Sequence, residues 1–485
     1  MEPLLPLTIR LRGRGSLLHD LHRELRSAIL DGRLRPGLRL PSTRSLALGY
    51  GVSRNTAIAA YDLLLSEGYA VARGGSGTRV ADTLPRSPKS APSGRVSASS
   101  KRRVNRFWRE RTTRPRLLVS PHPPLSFQLG IPDVSAFPIE VWRRLSAEVY
   151  RAVPTSAALD ADPQGRPALR EAIAQHISFT RAVACSPENI VVTSGAQQAF
   201  DLLARVLVTP QRTRVAVEDP GYPPLRAALE AAGARILTVP VDHEGLMVER
   251  LPSNARIICV TPSHQFPLGC VLSARRRTSL LDFAQARGAV VIEDDYDGEF
   301  RFTDRPLDAL QTMDRADSVF YVGTFSKSLL PTLRLGYIVA PPWARSALLA
   351  AKSLSDGPCC GPTQETVAAL IRGGHLARHV RKMLTTYTRR REALLDLIGR
   401  DLRRWLEPVP SSAGLHVAAL FNVPMDDRTA AERLLREGVG IRALSAFSHR
   451  RSPPRGLVFG YGATEQPAIV EGVDLLRRCL SAASV

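Results

Sequence analysis

A lysine between two serines is the feature of the sequence with the clearest chemistry. The segment Val322–Gly336 reads VGTFSKSLLPTLRLG, with Lys327 near its centre and Arg334 seven residues later. An accessible amine with a lowered pKa can form a Schiff base with an aldehyde. Thr324, Ser326 and Arg334 supply donors and positive charge for a phosphate. A solvated surface lysine is the alternative, but the apolar, glycine-punctuated surroundings favour a reactive amine.

Two upstream segments place further binding groups at predicted strand ends. Ser194, Gly195 and Ala196 follow one strand and open a helix, where free N–H groups and the helix dipole suit a phosphate. This signal is weak by itself because many strand–helix turns contain Ser-Gly. Tyr222 lies after the next strand, and its ring can stack on a planar heterocycle or serve as a buried core residue.

A cluster of acids, Glu293–Asp297, follows another apolar run and contains Tyr296. Such clusters hold a metal ion or supply a counter-charge. We assign Asp294 to a protonated ring nitrogen and the Tyr296 hydroxyl to a ring oxygen. His264, in the loop Thr261–Gly269, can contact a ring oxygen or be part of the loop structure; both readings stay open.

These groups need a sheet that brings strand ends together. Apolar runs, separated by helical stretches at Pro223–Ala232 and Arg275–Arg287, are typical of buried parallel strands. The runs are Ile190–Thr193, Arg214–Val217, Ile257–Val260 and Ala289–Ile292. This alternation predicts a doubly wound α/β domain, which binds its ligands at the carboxyl ends of the strands.

The first 80 residues predict a different element, a winged helix. Leu17–Leu30 has a helical apolar stripe, Ser42 can cap a second helix, and Ser53 can cap a third over Arg54–Glu67. A strand over Tyr69–Arg73, a glycine-rich turn and a return strand from Arg79 then form a hairpin. Two helices joined by a short turn are a helix-turn-helix pattern.

The third helix presents Arg54, Asn55 and Thr56 at its N-terminal end, where recognition helices meet base edges. Arginine can bond guanine and asparagine can bond adenine.

Length and charge agree with a multidomain protein that meets a polyanion. The chain has 485 residues, with 66 Lys+Arg against 45 Asp+Glu and a net charge of +21. Residues 1–125 hold 23 basic and 8 acidic residues, so they carry 15 of the 21 excess charges. General arginine bias is the alternative, since the chain has only five lysines.

The division we predict is a winged helix over residues 1–80, a basic Pro/Ser/Arg-rich linker over 81–125 and a ligand-binding region over 126–485. No apolar run approaches the roughly 20 residues that span a bilayer, and the N-terminus lacks a secretory signal. We therefore expect a soluble cytoplasmic protein without a membrane partner. The six scattered cysteines predict neither a disulfide framework nor a metal site.

Three N-terminal segments resemble the DNA-binding domain of GntR regulators. They are residues 30–44 (LDGRLRPGLRLPSTR), 51–56 (GVSRNT) and 75–78 (GSGT). The resemblance implies binding to double-stranded DNA, although a winged helix can also serve protein contacts. The DNA-binding residues that it implies are Arg44, Ser53, Arg54, Asn55, Thr56, Gly75 and Gly77.

The chain from about residue 126 to 475 resembles fold-type I aminotransferases, which bind pyridoxal 5′-phosphate (PLP) and have a large and a small domain. The wording of residues 263–267 (SHQFP) and 293–301 (EDDYDGEFR) is similar to the MocR-type subfamily of GntR regulators, which fuse a winged helix to such a domain. The resemblance implies an α/β fold, PLP as cofactor and a homodimer on paired DNA half-sites.

By this resemblance Lys327 is the catalytic residue, which forms the Schiff base with PLP. The other cofactor-binding residues that it implies are Ser194, Gly195, Ala196, Tyr222, His264, Asp294, Tyr296, Thr324, Ser326 and Arg334.

The resemblance also bears on the effector. Arg226 is positioned like an arginine that pairs with an effector carboxylate in members that sense amino acids. Ala446 stands where such members can carry a second arginine, and Arg442 or Arg455 could take its place. Without an arginine at this position, the resemblance does not favour an effector like GABA. The signal can be another amino acid, an amine or PLP itself.

Two functions follow from these patterns. One is a transcriptional regulator that senses an amino-group ligand or PLP through Schiff-base exchange at Lys327. The other is a working aminotransferase with an appended DNA-binding module, because the residues for half-transamination are present.

Overall fold

The computed structural model describes residues 17–73, 77–83, 105–110, 125–152, 162–302 and 307–482. The chain divides into two compact units, residues 1–112 and 113–485. Gly75 and most of the predicted linker lie outside the described residues.

The described residues of the first unit form three helices, a β-hairpin and one further short helix. Its helices are α1 Leu17–Leu30, α2 Thr43–Tyr50, α3 Arg54–Ser66 and the short α4 Arg106–Glu110. The antiparallel strands β1 Ala70–Arg73 and β2 Gly77–Val80 form the hairpin. Buried side chains of α1, among them Leu21, Leu25 and Ile29, pack in the core of this unit. The winged helix predicted from the sequence is confirmed.

The first hairpin strand starts at Ala70, one residue later than expected. The reason is that the Tyr69 N–H donates to the Leu64 carbonyl at 2.9 Å and closes the turn after α3.

Ser53 caps α3, as the sequence predicts. Its hydroxyl accepts the Thr56 N–H at 3.1 Å and lies 2.8 Å from the Thr56 hydroxyl. Ser53→Ala should therefore destabilise the start of α3 by about 1 kcal/mol. Amide hydrogen exchange of the full-length protein checks this, with roughly fivefold faster exchange expected in the first turn of α3. Ser66→Ala, which loses only an exposed bond to the Leu63 carbonyl, is the control; equal exchange in both variants would contradict the capping role.

The second unit contains ten helices and fourteen strands among its described residues. The helices are α5 Ile139–Ala152, α6 Pro167–Arg181, α7 Ala196–Leu207, α8 Pro223–Ala231, α9 Ala274–Arg287, α10 Arg345–Ser355, α11 Gly361–Arg372, α12 His375–Leu397, α13 Asp427–Arg436 and α14 Gln466–Ser481. The strands are β3 Leu125–Ser126, β4 Ile190–Thr193, β5 Arg214–Asp219, β6 Arg235–Asp242, β7 Gly245–Leu246, β8 Ile257–Val260, β9 Val290–Asp295, β10 Val319–Thr324, β11 Gly336–Val339, β12 Leu406–Pro408, β13 His416–Phe421, β14 Val439–Gly440, β15 Arg442–Ala443 and β16 Gly456–Gly460.

Eight of these strands form the large sheet, in the order β4-β11-β10-β9-β8-β5-β6-β7. The strands from β10 to β6 run parallel. β11 runs antiparallel to both of its neighbours, β10 and β4, so β4 keeps the common direction. The four strands predicted from the sequence are therefore present and aligned, while the reversed β11 was not expected.

The two faces of this sheet explain why its strands are apolar throughout. Val191 and Val215 face a core with α7 and α8, whereas the adjacent Val192 and Ala216 belong to cores on the opposite face. A strand covered by helices on both sides buries every residue, which gives continuous apolar runs rather than alternation.

A separate, smaller sheet near the C-terminus has four strands in the order β12-β13-β16-β15. It packs with α12, α13 and α14 around a core that includes Trp405, Phe459 and Tyr461. The large and small domains implied by the resemblance are thus both present.

Candidate functional site

Lys327 lies in the loop that connects β10 to the reversed strand β11, at the carboxyl end of the large sheet. The Phe325 N–H donates to the Leu335 carbonyl at 3.1 Å and closes this loop. The Lys327 amine donates to the Gly130 carbonyl at 2.6 Å. A Cβ atom at Gly130, whose φ is +68°, would stand 2.7 Å from the amine nitrogen, so glycine leaves room for it.

Desolvation lowers the pKa of the Lys327 amine, while the charges of Asp297 and Asp294 oppose this effect. A lowered pKa increases the fraction of unprotonated amine near neutral pH, which is the form that attacks an aldehyde.

Asp294 is a buried carboxyl within electrostatic reach of Lys327. Burial raises its pKa well above the ordinary range, and the neighbouring Asp295 and Asp297 add to the rise. Its Oδ1 atom is buried and has no hydrogen-bond partner among the described residues. Leaving such an acceptor unsatisfied costs about 1–3 kcal/mol. The atom therefore fits a ligand N–H, such as the protonated ring nitrogen of PLP.

The groups expected to bind phosphate meet at the start of α7. Gly195 is the N-cap, with a φ of +81° and no side-chain cap, so the helix N–H groups at Ala196 are open to an anion. The Arg334 Nη2 atom donates to the Ser194 carbonyl at 2.9 Å. A Cβ atom at Gly195 would lie 2.9 Å from that nitrogen, so only glycine lets the arginine approach.

The hydroxyls of Thr324 and Ser326 bond one another at 3.0 Å, and Thr324 also donates to the Leu335 carbonyl at 3.4 Å. These contacts place both hydroxyls beside the loop that carries Lys327 and Arg334.

Three rings surround this region. The Phe266 ring meets Tyr222 edge-on at 5.4 Å and Tyr296 at 6.2 Å between centroids. Burial raises the pKa of the Tyr222 hydroxyl, and the charge of Asp294 raises it further. The charge of Arg334 opposes this rise, so Tyr222 is within electrostatic reach of both residues. His264 is buried, and its Nδ1 atom lies 2.8 Å from the Tyr296 hydroxyl.

Arg226 lies on α8 and lines a cleft with Glu218, Tyr222 and the small-domain residues Phe447 and His449. Its Nε atom donates to Glu230 at 2.8 Å, while its buried Nη1 atom has no partner among the described residues.

Arg442 and Arg455 are not among the described residues that line this cleft. Arg442 lies on β15, where burial lowers its pKa, and Arg455 is exposed just before β16. Neither is brought together with Arg226 at the cleft.

Glu218 was not assigned a role from the sequence, although it directly precedes the segment that contains Tyr222. Burial raises its pKa to about 7, while hydrogen bonds from Thr261 and Gln265 oppose the rise. All of these bonds reach the Oε2 atom, the shortest of them 2.6 Å from the Thr261 hydroxyl. Among the described residues, no hydrogen bond reaches the other carboxyl oxygen of Glu218, which is one of the residues that line the cleft.

Gly130 and His416 also escaped the sequence analysis, because only folding brings them to the site, and Asp297 was part of the predicted acid cluster but had no role of its own. His264, Asp297 and His416 offer possible metal ligand atoms within 4.8 Å of one another. The absence of a metal ion therefore stays a prediction.

The candidate DNA-binding surface is on the first unit. Arg44 on α2 and Arg54 and Asn55 on α3 are exposed, while Thr56 is half-buried and bonded to Ser53. Gly77, with a φ of +85°, starts the return strand of the wing, and the Arg39 guanidinium packs beside it. Arg39 was not assigned a role from the sequence. In the part of the chain that the structure describes, no helix has the length and apolarity to cross a membrane.

Comparison with known proteins supports both kinds of domain. Residues 19–80 match the family of bacterial regulatory proteins of the gntR type, and residues 127–456 match the class I and II aminotransferases. The chain is 36% identical to the probable rhizopine catabolism regulatory protein MocR of Rhizobium meliloti, over 94% of this chain and 92% of that one. It is 32% identical to the pyridoxine biosynthesis transcriptional regulator PdxR of Corynebacterium glutamicum, over 96% of each chain.

Among solved structures, α-aminoadipate aminotransferase LysN of Thermus thermophilus is similar, with a TM-score of 0.68 and 29% identity. The match covers 74% of this chain and 93% of that one, and LysN is complexed with N-(5′-phosphopyridoxyl)-L-leucine.

The protein is a DNA-binding transcriptional regulator with an aminotransferase-type domain, and its cofactor is pyridoxal 5′-phosphate. The chain belongs to the MocR-type subfamily of GntR regulators, which combine these two domains.

Proposed function

We propose that this regulator senses an amino acid, an amine or PLP through Schiff-base exchange at Lys327. One observation supports the proposal: the same chain carries a GntR domain and, at the carboxyl end of the large sheet, an amine, a buried carboxyl with an unpartnered oxygen among the described residues, and an arginine. When bound, PLP supplies an aldehyde that can be joined to one amine at a time, that of the lysine or that of an effector. The proposal includes the boundaries of the three regions: the winged helix over residues 1–80, the linker over 81–125 and the ligand-binding region over 126–485.

The residues of the chain have separate tasks in this scheme. Asp294 would accept the ring N–H of bound PLP, and Tyr222 would stack on its ring. The N–H groups at Gly195 and Ala196 bind the phosphate together with Arg334. When a competing amine takes its place on the aldehyde, the released Lys327 amine can donate to the Gly130 carbonyl, as it does in this structure at 2.6 Å.

A connection between the large and small domains could carry the signal. The Phe447 carbonyl accepts the Gly221 N–H at 3.1 Å, and Asp219 accepts the His449 N–H at 3.0 Å and the Ser448 hydroxyl. These contacts border the cleft lined by Tyr222 and Arg226. A ligand in the cleft that favours one arrangement of this connection biases a two-state equilibrium. We expect a homodimer to convert this change into a new spacing of two winged helices on paired half-sites.

The decisive experiment titrates the PLP-loaded protein with a panel of amino acids, amines and free PLP. Visible absorbance and binding to promoter DNA are measured in the same samples, with 2-oxoglutarate added to detect keto-acid product. A ligand that changes both absorbance and DNA binding supports sensing. Rapid multiple turnover without any change in DNA binding would instead favour the working aminotransferase.

Arg226→Gln should weaken a carboxylate-bearing effector roughly tenfold or more, because a charge-assisted hydrogen bond contributes about 1.5–3 kcal/mol. The effector titration measures this change. Arg205→Gln is a matched control, since Arg205 also donates from Nε to an acid four residues away at 2.8 Å but lies on the exposed face of α7. An effector affinity that is equal in both variants would remove Arg226 from the effector site.

A further inference from the structure

A buried hydrogen-bonded group lies behind Tyr296. The Nδ1 atom of His264 is 3.0 Å from the Asp297 carboxyl and 2.8 Å from the Tyr296 hydroxyl. Both partners thus share one nitrogen of the imidazole. Gly414, with a φ of +87°, packs so closely on the ring that a Cβ atom there would overlap it, which fixes the ring in place.

The contacts decide where the imidazole proton lies. The oxygens of a carboxylate are acceptors only, so Asp297 requires a proton on Nδ1. The other ring nitrogen of His264, Nε2, is buried and has no partner among the described residues. A neutral imidazole that is protonated at Nδ1 leaves Nε2 as this unpaired acceptor.

This tautomer has a consequence for Tyr296. A protonated Nδ1 has no lone pair and cannot accept the tyrosine proton, so that proton is free for another acceptor. In the tautomer that is protonated at Nε2, Nδ1 would accept the Tyr296 hydroxyl proton. Tyr296 could then not donate that proton to a ligand.

We infer that Asp297 and His264 are positioning residues, which keep the Tyr296 hydroxyl proton available to the phenolic oxygen of PLP. The inference deepens the proposed function and rests on it for the presence of PLP beside Tyr296. Asp297 acts here through two other side chains and need not touch the cofactor.

The charged surroundings are compatible with this role. Burial raises the pKa of Tyr296 well above its ordinary range, and Asp297, Asp294, Glu218 and Asp295 add to the rise, so the hydroxyl keeps its proton. The ring of His416 lies 4.7 Å from that of His264, and its Nε2 atom donates to the Pro267 carbonyl at 3.0 Å.

Burial lowers the pKa of His416 well below its ordinary range, and His264 and Lys327 lower it further. His416 therefore adds no charge to the group.

A pH titration of the visible absorbance of the PLP-loaded protein tests the inference. When PLP is bound, its phenolic oxygen and the Lys327 nitrogen would share a proton. A hydrogen bond from Tyr296 to the phenolic oxygen would lower the pKa of that proton. Asp297→Asn removes the carboxylate that requires a proton on Nδ1, so the histidine proton can move to Nε2 and Nδ1 can accept the Tyr296 proton. The titration midpoint should then rise by about one pH unit, a tenfold change in proton affinity.

Tyr296→Phe should raise the midpoint similarly, and the double variant should show no further rise, because both changes remove one hydrogen bond. His243→Gln, the same type of substitution at an exposed position between β6 and β7, should leave the midpoint unchanged. If Asp297→Asn fails to fold, His264→Asn replaces it, since its amide nitrogen can occupy the Nδ1 position and should keep the midpoint near that of the unaltered protein.

Three results would overturn the inference: an unchanged midpoint in Asp297→Asn while Tyr296→Phe shifts, additive shifts in the double variant, or a full shift in a folded His264→Asn. An unaltered protein that gives no visible PLP band contradicts the proposed function instead, before any variant is compared.

Discussion

Lys327→Ala is expected to lose all covalent attachment of PLP. The chain has only two other lysines after the linker, Lys352 and Lys382. Lys352 is fully buried and bonded to Asp356 at 2.6 Å, so its amine is already engaged. Lys327 combines a lowered pKa with a position beside Asp294 and Asp297. Removing its amine leaves no nucleophile in the site to react with the aldehyde.

Borohydride reduction followed by peptide mass spectrometry measures this loss directly. In the unaltered protein the label should be found on the peptide that contains Lys327, and in the variant no labelled peptide should remain. The exposed Lys382 offers a control, since Lys382→Ala should retain full labelling. A visible absorption band and a reducible adduct that persist in Lys327→Ala would show that another amine holds the cofactor.

Arg54→Ala is expected to weaken binding to the specific operator by about 1–3 kcal/mol, or roughly 5- to 150-fold. Arg54 is the first residue of α3 and is exposed, directly after the cap at Ser53. A recognition helix places its N-terminal side chains against base edges in the major groove. An arginine that bonds guanine there contributes to discrimination as well as to affinity.

Fluorescence anisotropy with the promoter DNA and with a scrambled duplex separates these two effects. Specific binding should fall much more than binding to the scrambled duplex, which depends on phosphate contacts and on salt. Arg23→Ala serves as the control, because Arg23 is an exposed arginine of α1 that pairs with Asp20. Equal losses on both duplexes would make Arg54 a phosphate contact, and no loss would remove it from the DNA surface.

Local patterns predicted most of the elements. Apolar runs on buried strands and helix caps such as Ser53 are properties of short segments, and the structure has these elements with ends that differ by up to about three residues. The sequence also singled out Lys327, Asp294 and Arg334, because an isolated lysine or a clustered acid after an apolar run stands out without any folding.

The groups that complete the site were not visible in the same way. Gly130 is 197 residues from the lysine that it contacts. It makes this contact through its backbone carbonyl, a group that every residue type has, so the residue type gave no signal. Asp297 stood in the predicted acid cluster, but its bond to His264 needs the loop after β8 to pack against the loop after β9. The effector residues show the same limit, since Arg226 lines a cleft while Arg442 and Arg455 are not found there.

The sequence by itself determined the two kinds of domain and the order in which they occur, and it singled out Lys327 as the candidate amine. It could do so because helix caps, strand apolarity and residue type act over a few neighbouring positions. Only the tertiary structure decided that β11 reverses, that Asp294 keeps an unpaired oxygen and that one nitrogen of His264 serves two partners. These features depend on distances between residues far apart in the chain, and packing sets those distances.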